Sequence, residues 1–342
     1  MQVSNRGDNM GNLGVFLLFT LGVVIIIKGG DWFVESAVWV AKVTGVPNVL
    51  IGATIVSIAT TLPELLVSSI ATYQHYYDVA IGNVVGSMVC NIGLILGLTA
   101  LLSPIKIQPS KFAVKGFFML ISGIVLLFLA KDTIITPQEG NLFILLFFIY
   151  IVMNILEFRG NGKNNREYHA TANLDKSNTK INIGKFIIGA LFITVGARLL
   201  VNNGIIIAEL VGVPQQVISL TLIALGTSLP ELTTAIGSVI KGHGEISVGN
   251  ILGANILDMV MVLGVCSKLG EKGIVINYEN IMLGATIHNV PQSLYLDIPV
   301  ALLMMVILVL GGFLKGAINR TMGFSMLFIY IMYLGVLAKL FI

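Results

Sequence analysis

The chain has 342 residues, of which 56% are hydrophobic and 11% are charged, and its mean hydropathy is +0.93. This composition excludes a soluble globular domain and is typical of an integral membrane protein. The formal net charge of +3 points to no nucleic-acid partner, because the charged residues lie in separate polar segments.

Apolar segments long enough to cross about 30 Å of hydrocarbon recur along the whole chain, separated by short polar or Gly/Pro-containing segments. They lack the alternating pattern of barrel strands, so they should cross the lipid bilayer as helices. We therefore predict an all-α polytopic membrane protein. The ten predicted transmembrane helices cover residues 12–42, 48–73, 79–103, 112–131, 140–158, 184–209, 215–241, 246–268, 298–315 and 321–341.

The first span should be retained, because its apolar run is longer than that of a cleavable signal peptide. In this span, Asp31 is expected to pair with Lys28 or with Arg198, since unpaired charges at membrane depth are costly. The alternative is that these side chains extend to a membrane interface. Cys90 and Cys266 each lie inside a span and should be buried thiols rather than disulfide partners.

The longest polar segment, residues 159–183, divides the chain almost in half and is predicted to be a linker. Most Lys and Arg residues lie on the same side as this segment if both termini are outside. The positive-inside rule therefore predicts a multi-pass cell-membrane protein with both termini outside and residues 159–183 in the cytoplasm. After the eighth span, residues 277–296 contain interfacial tyrosines and are expected to form a short helix at the outer membrane surface.

Two parts of the chain repeat the same pattern at a constant sequence offset. The segment "ATTLPELL" begins at Ala59 and "GTSLPELT" begins at Gly226. They are followed by "GNVVGSMVCNIG" and "GNILGANILDMV". At this same offset, Gly82 is equivalent to Gly249, Asn83 to Asn250, and Gly86 to Gly253, and Asp31 of the first span to Arg198. The glycines are predicted to allow close helix packing.

The duplication predicts a first repeat at residues 1–158, with its duplicated core at 52–97, and a second repeat at 184–342, with its core at 219–264. Each repeat has five predicted spans. Because five is an odd number, the second copy should enter the membrane from the opposite side. Inverted repeats of this kind are typical of secondary transporters, which bind their substrates between the repeats near the membrane centre.

Each repeat places polar residues inside an apolar span. Pro63 and Pro230 lack an N–H, so they should free carbonyl groups one turn earlier. An ionisable residue at the centre of a span costs about 2.5–3.5 kcal/mol, so Glu64, Glu231 and Asp258 indicate a site. Such a site suits Ca²⁺, which takes about six to eight oxygen ligands. Further polar side chains near these carboxylates are Ser57, Thr60, Thr61, Ser87, Asn91, Thr227 and Ser228.

The paired "TTLPEL" and "TSLPEL" segments, each followed by GNxxG(S/A)xxx(N/D), resemble the two alpha-repeats of the cation/calcium exchanger superfamily, and its sodium/calcium exchanger branch in particular. The resemblance implies Ca²⁺ binding by Glu64, Glu231, Thr60 and Thr227. It implies Na⁺ binding by Glu64, Glu231, Ser87, Ser228, Ala224, Ser57 and Thr61. It also makes Asn91 and Asp258 a central polar pair. Where the family pattern has Ser, this chain has Ala254, so one expected sodium ligand has no side-chain oxygen.

The resemblance implies an antiporter that exchanges Ca²⁺ for Na⁺ by alternating access at one shared carboxylate cluster. It implies no cofactor and no obligate protein partner. The alternative is a proton/calcium antiporter of the same superfamily, whose GNxxEH pattern is absent at Gly86–Ser87 and Gly253–Ala254. A membrane-embedded enzyme is disfavoured, because the carboxylate spans contain no HExxH motif, nucleophile elbow or histidine.

Overall fold

The computed structural model describes residues 4–43, 57–161, 179–240, 244–283 and 286–341. Its α-helices are α1 (Ser4–Val43), α2 (Ser57–Thr60), α3 (Leu62–Tyr73), α4 (Tyr77–Cys90), α5 (Gly97–Leu102), α6 (Pro109–Leu129), α7 (Pro137–Asn161), α8 (Thr179–Val211), α9 (Gln215–Ile218), α10 (Ala224–Thr227), α11 (Leu229–Ile240), α12 (Gly244–Leu257), α13 (Leu263–Leu269), α14 (Ile298–Lys315) and α15 (Arg320–Phe341). Four π-helical segments cover Asn91–Leu96, Ser219–Ile223, Asp258–Val262 and Ser293–Asp297.

The structure confirms an all-α polytopic membrane protein. Eight helical segments in the described part of the chain are long and apolar enough to cross a membrane, and a ninth is formed if the bent pair Gln215–Thr227 and Leu229–Ile240 is one span. The second predicted span begins in residues 44–56, which lie outside the described residues. The count of ten therefore stays a prediction.

The duplicated segments fold into the same succession of elements. Helices α10, α11 and α12 begin at the repeat equivalents of the first residues of α2, α3 and α4, and the π-helical segment at Asp258 begins at the equivalent of Asn91. Pro63 and Pro230 lie in the first turns of α3 and α11, where a missing N–H is tolerated. The sequence repeat is thus a repeat of local structure.

These elements lie at the centre of the molecule. The spans Tyr77–Leu102 and Ser247–Leu269 are 83% and 89% buried by the rest of the protein, whereas Pro137–Glu157 is only 22% buried. The remaining helices therefore shield the duplicated elements from lipid. Polar groups on the central elements are kept at membrane depth but away from the hydrocarbon.

The long helices α1 and α8 cross at two reciprocal pairs of glycines. A Cβ atom added to Gly196 would lie 2.6 Å from Ile26 Cγ1 and 2.8 Å from the carbonyl oxygen of Gly22. At the other contact, a Cβ atom added to Gly29 would lie 2.9 Å from the carbonyl oxygen of Gly189. Only glycine allows this approach, and the order of the contacts shows that the two helices are antiparallel.

Short antiparallel strands connect the helix ends. Their bounds are β1 (Ile105–Lys106), β2 (Ile134–Ile135), β3 (Ile274–Val275), β4 (Glu279–Leu283), β5 (Thr286–Val290) and β6 (Ala317–Ile318). The pairs are β1 with β6, β2 with β3, and β4 with β5. The interfacial helix predicted for residues 277–296 is wrong, because Glu279–Leu283 and Thr286–Val290 form the antiparallel strands β4 and β5, in which Glu279 is opposite Val290.

The charged residues of the first span are not arranged as predicted. Asp31, Lys28 and Arg198 are all exposed. The ion pairs among the described residues are Lys115–Glu157 at 3.6 Å and Lys185–Glu35 at 2.7 Å, so the predicted pairing of Asp31 is wrong. Exposure makes a partner unnecessary, since a long charged side chain on a surface can reach the polar interface. Cys90 and Cys266 are buried free thiols, as predicted.

Candidate functional site

Each duplicated span is divided at the same position by a residue that lies between two α-helical segments. Thr61 separates α2 from α3, with φ −79° and ψ −1°. Ser228 separates α10 from α11, with φ −83° and ψ 6°. This region of backbone space is sparsely populated and recurs at functional sites. Pro63 and Pro230 follow two residues later and cannot donate to the carbonyls of Ala59 and Gly226.

The carbonyl groups one turn before each break accept the same two hydrogen bonds. The Ser57 carbonyl accepts from Thr61 N at 2.9 Å and from Thr60 Oγ1 at 3.3 Å. In the second copy, the Ala224 carbonyl accepts from Ser228 N at 3.0 Å and from Thr227 Oγ1 at 3.1 Å. An ion bound by either carbonyl would compete with these donors.

Helix α10 brings hydroxyls of the second half to polar groups of the first half. Ser228 Oγ donates to Glu64 Oε1 at 3.4 Å. Thr227 Oγ1 lies 3.1 Å from Asn83 Oδ1 and 3.5 Å from Ser87 Oγ. The structure therefore brings together Glu64, Ser87, Thr227 and Ser228, although these residues belong to different halves of the sequence.

A contact in the opposite direction, from the first half to the second, is formed by Ser57. Its Oγ donates to Asn250 Oδ1 at 3.1 Å. A Cβ atom added to Gly253 would lie 2.6 Å from Ser57 Oγ, and one added to Gly86 would lie 2.8 Å from Ala224 Cβ. Since Ala224 and Gly253 are the repeat equivalents of Ser57 and Gly86, the two helix crossings are equivalent.

Two buried asparagines were not among the predicted site residues. Asn83 Nδ2 donates to Ser68 Oγ at 3.0 Å and to the Glu64 carbonyl at 3.4 Å. Asn83 on α4 accepts a hydrogen bond from Thr227 on α10, and Asn250 on α12 accepts one from Ser57 on α2. Each asparagine therefore connects the two halves of the sequence. Their equivalence in the sequence repeat was the signal that could have identified them.

Three carboxylates lie inside the protein, and no Lys or Arg of the described residues forms an ion pair with them. Glu64, Glu231 and Asp258 are each 1% exposed. Among the described residues, no hydrogen-bond partner reaches Glu64 Oε2 or either oxygen of Glu231 and Asp258. Glu64 interacts electrostatically with both other carboxylates, and Asp258 with Glu231. Thr60 also lies close to Glu231, and Thr227 lies close to Glu64.

Side chains other than acids must complete any cation site here. In the described part of the chain, no three His, Cys, Asp or Glu side chains are close enough to hold a metal ion by themselves. Uncommitted oxygens are nevertheless available nearby at Thr61 Oγ1 and Asn91 Oδ1. A hard cation bound by a few carboxylates together with hydroxyl, amide and carbonyl oxygens fits this arrangement.

The central polar pair lies at the starts of two π-helical segments. Asn91 Nδ2 donates to Asn255 Oδ1 at 3.4 Å, which links the two halves. Asp258 begins the equivalent segment of the second copy. Irregular turns of this kind are frequent at functional sites. Ala254 is 1% exposed and adjoins Gly253 at the Ser57 contact, so it places a methyl group where the equivalent Ser87 has a hydroxyl.

Comparison with known proteins gives consistent matches. The sequence model of the family described as "Sodium/calcium exchanger protein" matches residues 14–156 and 181–339. The chain is 32% identical to the sodium/calcium exchanger MaX1 of Methanosarcina acetivorans, covering 94% of this chain and 98% of that protein. It is 34% identical to the inner membrane protein YrbG of Escherichia coli, covering 72% and 77%, respectively. A solved structure of the sodium-calcium exchanger NCX_Mj superimposes with a TM-score of 0.66 at 28% identity, covering 95% of this chain and 99% of that one.

Proposed function

Because the chain belongs to the sodium/calcium exchanger family, we propose that it exchanges Ca²⁺ for Na⁺ at one shared carboxylate cluster that opens alternately to each side of the membrane. The protein is a multi-pass cation/Ca²⁺ antiporter and not an enzyme. Exchangers of this family transport Ca²⁺ and Na⁺ without a cofactor. The proposal concerns the coupling ion and the residues that bind it.

The observation that carries the proposal is the set of polar contacts between the two halves. Ser228 of the second half reaches Glu64 of the first, and Ser57 of the first half reaches Asn250 of the second. Inverted repeats bind ions where their broken helices meet. In the proposed site, Ca²⁺ is bound by Glu64 and Glu231 together with backbone oxygens at Thr60 and Thr227.

Sodium is proposed to use the same two glutamates and the neighbouring oxygens. One sodium position comprises Ser87, Ser228 and the Ala224 carbonyl. The other comprises Ser57 and Thr61. Asn91 and Asp258 lie at the centre of the cluster and hold water or a further ion. Because Glu64 and Glu231 serve both ions, Ca²⁺ and Na⁺ compete, and binding of one drives the release of the other.

Charge compensation explains why transport is coupled. Buried carboxylate oxygens without partners are costly in a low-dielectric interior, and bound cations neutralise them. The protein is therefore hindered from closing around an empty cluster and excluding water from it. It closes readily around a cluster that holds ions. This asymmetry allows exchange and prevents leak of either ion alone.

The second candidate is exchange of Ca²⁺ for protons. It is favoured by Ala254, which removes a side-chain oxygen from one sodium position, and by Asp258, whose oxygens lack partners among the described residues. The Ser87 hydroxyl at the equivalent position of the first copy supports sodium instead.

The deciding experiment measures ⁴⁵Ca²⁺ uptake into proteoliposomes under a sodium gradient without a pH gradient, and then under a pH gradient without sodium. We expect uptake to follow the outward sodium gradient and to cease when the sodium ionophore monensin collapses it. Liposomes that contain the Glu64→Gln variant are the control for leak. Uptake driven only by the pH gradient would replace sodium with protons in the proposal.

A further inference from the structure

A second buried polar cluster surrounds Asp297 at the start of α14. Its other members are Gln216 on α9, Gln292 and Ser293 around the π-helical segment Ser293–Asp297, and Tyr333 on α15. All five side chains are buried, and Asp297 itself is 0% exposed. Gln216 precedes Thr227 in one helical span, at a separation of about 16 Å from the helical rise. The Asp297 cluster is therefore distinct from the carboxylate cluster between the repeats.

Neutral donors surround the Asp297 carboxylate. Tyr333 Oη donates to Oδ1 at 2.9 Å, and Gln216 Nε2 and Ser293 Oγ donate to Oδ2 at 3.1 and 3.2 Å. Gln292 Nε2 lies 3.2 Å from Oδ1 and 3.3 Å from Oδ2. Within the described ranges, no Lys or Arg forms an ion pair with Asp297. A carboxylate buried in the protein interior without a cation is unusual, since such charges are normally paired.

The same cluster contains two amide oxygens that are not used. Gln216 Oε1 and Gln292 Oε1 are buried and have no hydrogen-bond partner among the described residues. A buried acceptor without a donor costs about 1–3 kcal/mol. Each of these oxygens shares its amide group with a nitrogen that already reaches Asp297. A flip of either amide about its terminal torsion, which is soft, presents its oxygen to an ion beside the carboxylate.

We propose that Asp297, Gln216, Gln292, Ser293 and Tyr333 form a second cation site, which takes a single sodium ion. Carboxylate, amide and hydroxyl oxygens are the ligands that hard cations prefer. One carboxylate neutralises one positive charge, whereas a divalent ion would leave a net charge buried in a low-dielectric interior. The site goes beyond the proposed exchange reaction, in which none of these residues takes part.

The position of Gln216 gives this site a consequence for transport. Gln216 lies in the first turn of the bent span that continues through Thr227 and Ser228 to Glu231. An ion that holds Gln216 against α14 and α15 also restrains the near end of that span. Sodium at Asp297 is therefore coupled to ion binding between the repeats, and the coupling acts in both directions.

Equilibrium binding of ²²Na⁺ to the purified full-length protein tests the site. The measurement is made in a Glu64→Gln/Glu231→Gln background, so that sodium bound between the repeats is suppressed. We expect saturable sodium binding to remain in this background and to be lost on addition of Asp297→Asn. Asp132→Asn, at an exposed loop position, is the matched control and should change nothing.

Tyr333→Phe provides a second variant that keeps the carboxylate and removes one oxygen. The residual sodium affinity should fall by about fivefold, because the site loses one polar contact, that of the Tyr333 hydroxyl oxygen. Residual binding that is unaffected by both Asp297→Asn and Tyr333→Phe would overturn the proposal. If Asp297→Asn does not fold, an unchanged affinity in Tyr333→Phe has the same meaning. Undiminished sodium binding by the double glutamine variant alone would instead refute the site between the repeats.

Discussion

Glu64 and Glu231 are expected to be indispensable, because each is a buried carboxylate that an ion must neutralise. Glu64→Gln or Glu231→Gln keeps the shape of the side chain and removes its charge. We predict that sodium-dependent ⁴⁵Ca²⁺ uptake falls by about 100-fold or more, since removing one partner of a buried charge interaction costs about 3–5 kcal/mol. Glu271→Gln, at an exposed position, is the control. Near-normal uptake by either variant, with monodisperse protein, would refute the site.

Ala254 is one position at which the second copy lacks a proposed sodium ligand that the first copy has in Ser87. Ala254→Ser restores the hydroxyl that Ser87 supplies in the first copy. We predict about a fivefold lower sodium concentration for half-maximal ⁴⁵Ca²⁺ exchange, which corresponds to about 1 kcal/mol for one added polar contact. Ser87→Ala should have the opposite effect. A sodium dependence that Ala254→Ser leaves unchanged would exclude this position as a ligand.

Glu279, on strand β4 and outside the spans, is expected to make stability depend on pH. Burial, and secondly the nearby charge of Asp78, raise the pKa of Glu279 from 4.5 to about 7. The folded state therefore holds a proton that the unfolded state releases between these values. The free energy of unfolding should fall as pH rises through this window and level off above it.

The test compares the thermal unfolding of the wild type and Glu279→Gln at about pH 5 and pH 8. The uncharged glutamine should remove this part of the pH dependence, so the variant gains on the wild type at the higher pH. Parallel pH profiles for the two proteins would show that Glu279 has an ordinary pKa.

Residue chemistry could be predicted from the sequence where a single side chain is anomalous. A glutamate beside proline in an apolar span is such an anomaly, so Glu64 and Glu231 were identifiable. The roles of Asn83 and Asn250 were not, because their hydroxyl partners, Thr227 and Ser57, lie in the opposite half of the chain. Asp297 was not identified either, because it directly precedes the predicted span 298–315, and a single charge at the end of a span is ordinary.

At the scale of elements, the crossing of α1 and α8 depends on glycines. We predict that Gly196→Ala lowers the free energy of unfolding by about 1–3 kcal/mol, because its methyl group would overlap Ile26 and the Gly22 backbone. Gly184→Ala on α8 is the control, since nothing lies within 4 Å of a Cβ atom at that position. Thermal unfolding in detergent separates them. Equal stability of the two variants would show that the crossing relaxes without cost.

The type of secondary structure was predicted well for long apolar segments and poorly for short segments. The helices could be predicted from long apolar segments, because in lipid such a segment forms its backbone hydrogen bonds internally only as a helix. The β4–β5 strand pair was not predicted, because Tyr278 and Tyr295 are equally typical of an interfacial helix. Its signal was nevertheless present, since Gly284 and Ala285 separate the two strands in the sequence, and glycine-first pairs favour two-residue hairpin loops.

At the scale of the whole molecule, the proposed orientation places both termini outside and residues 159–183 in the cytoplasm. Asn173→Cys should then react with an impermeant thiol reagent only from the cytoplasmic side. The native Cys90 and Cys266 are buried and should contribute no background. Labelling of right-side-out and inside-out vesicles checks this. Labelling from the outer side would invert the topology and move the termini inside.

The reciprocal glycine contacts between α1 and α8 relate the two halves of the protein by symmetry. Gly22 meets Gly196 and Gly29 meets Gly189, and Gly189 and Gly196 are the repeat equivalents of Gly22 and Gly29. This is the contact pattern of an isologous interface between two identical subunits, here joined in one polypeptide. A true homodimer must carry every substitution twice. Fusion removes that constraint, so Ser87 can differ from Ala254, and Asn91 from Asp258, which would allow the two sides of the proposed site to bind ions with different strengths.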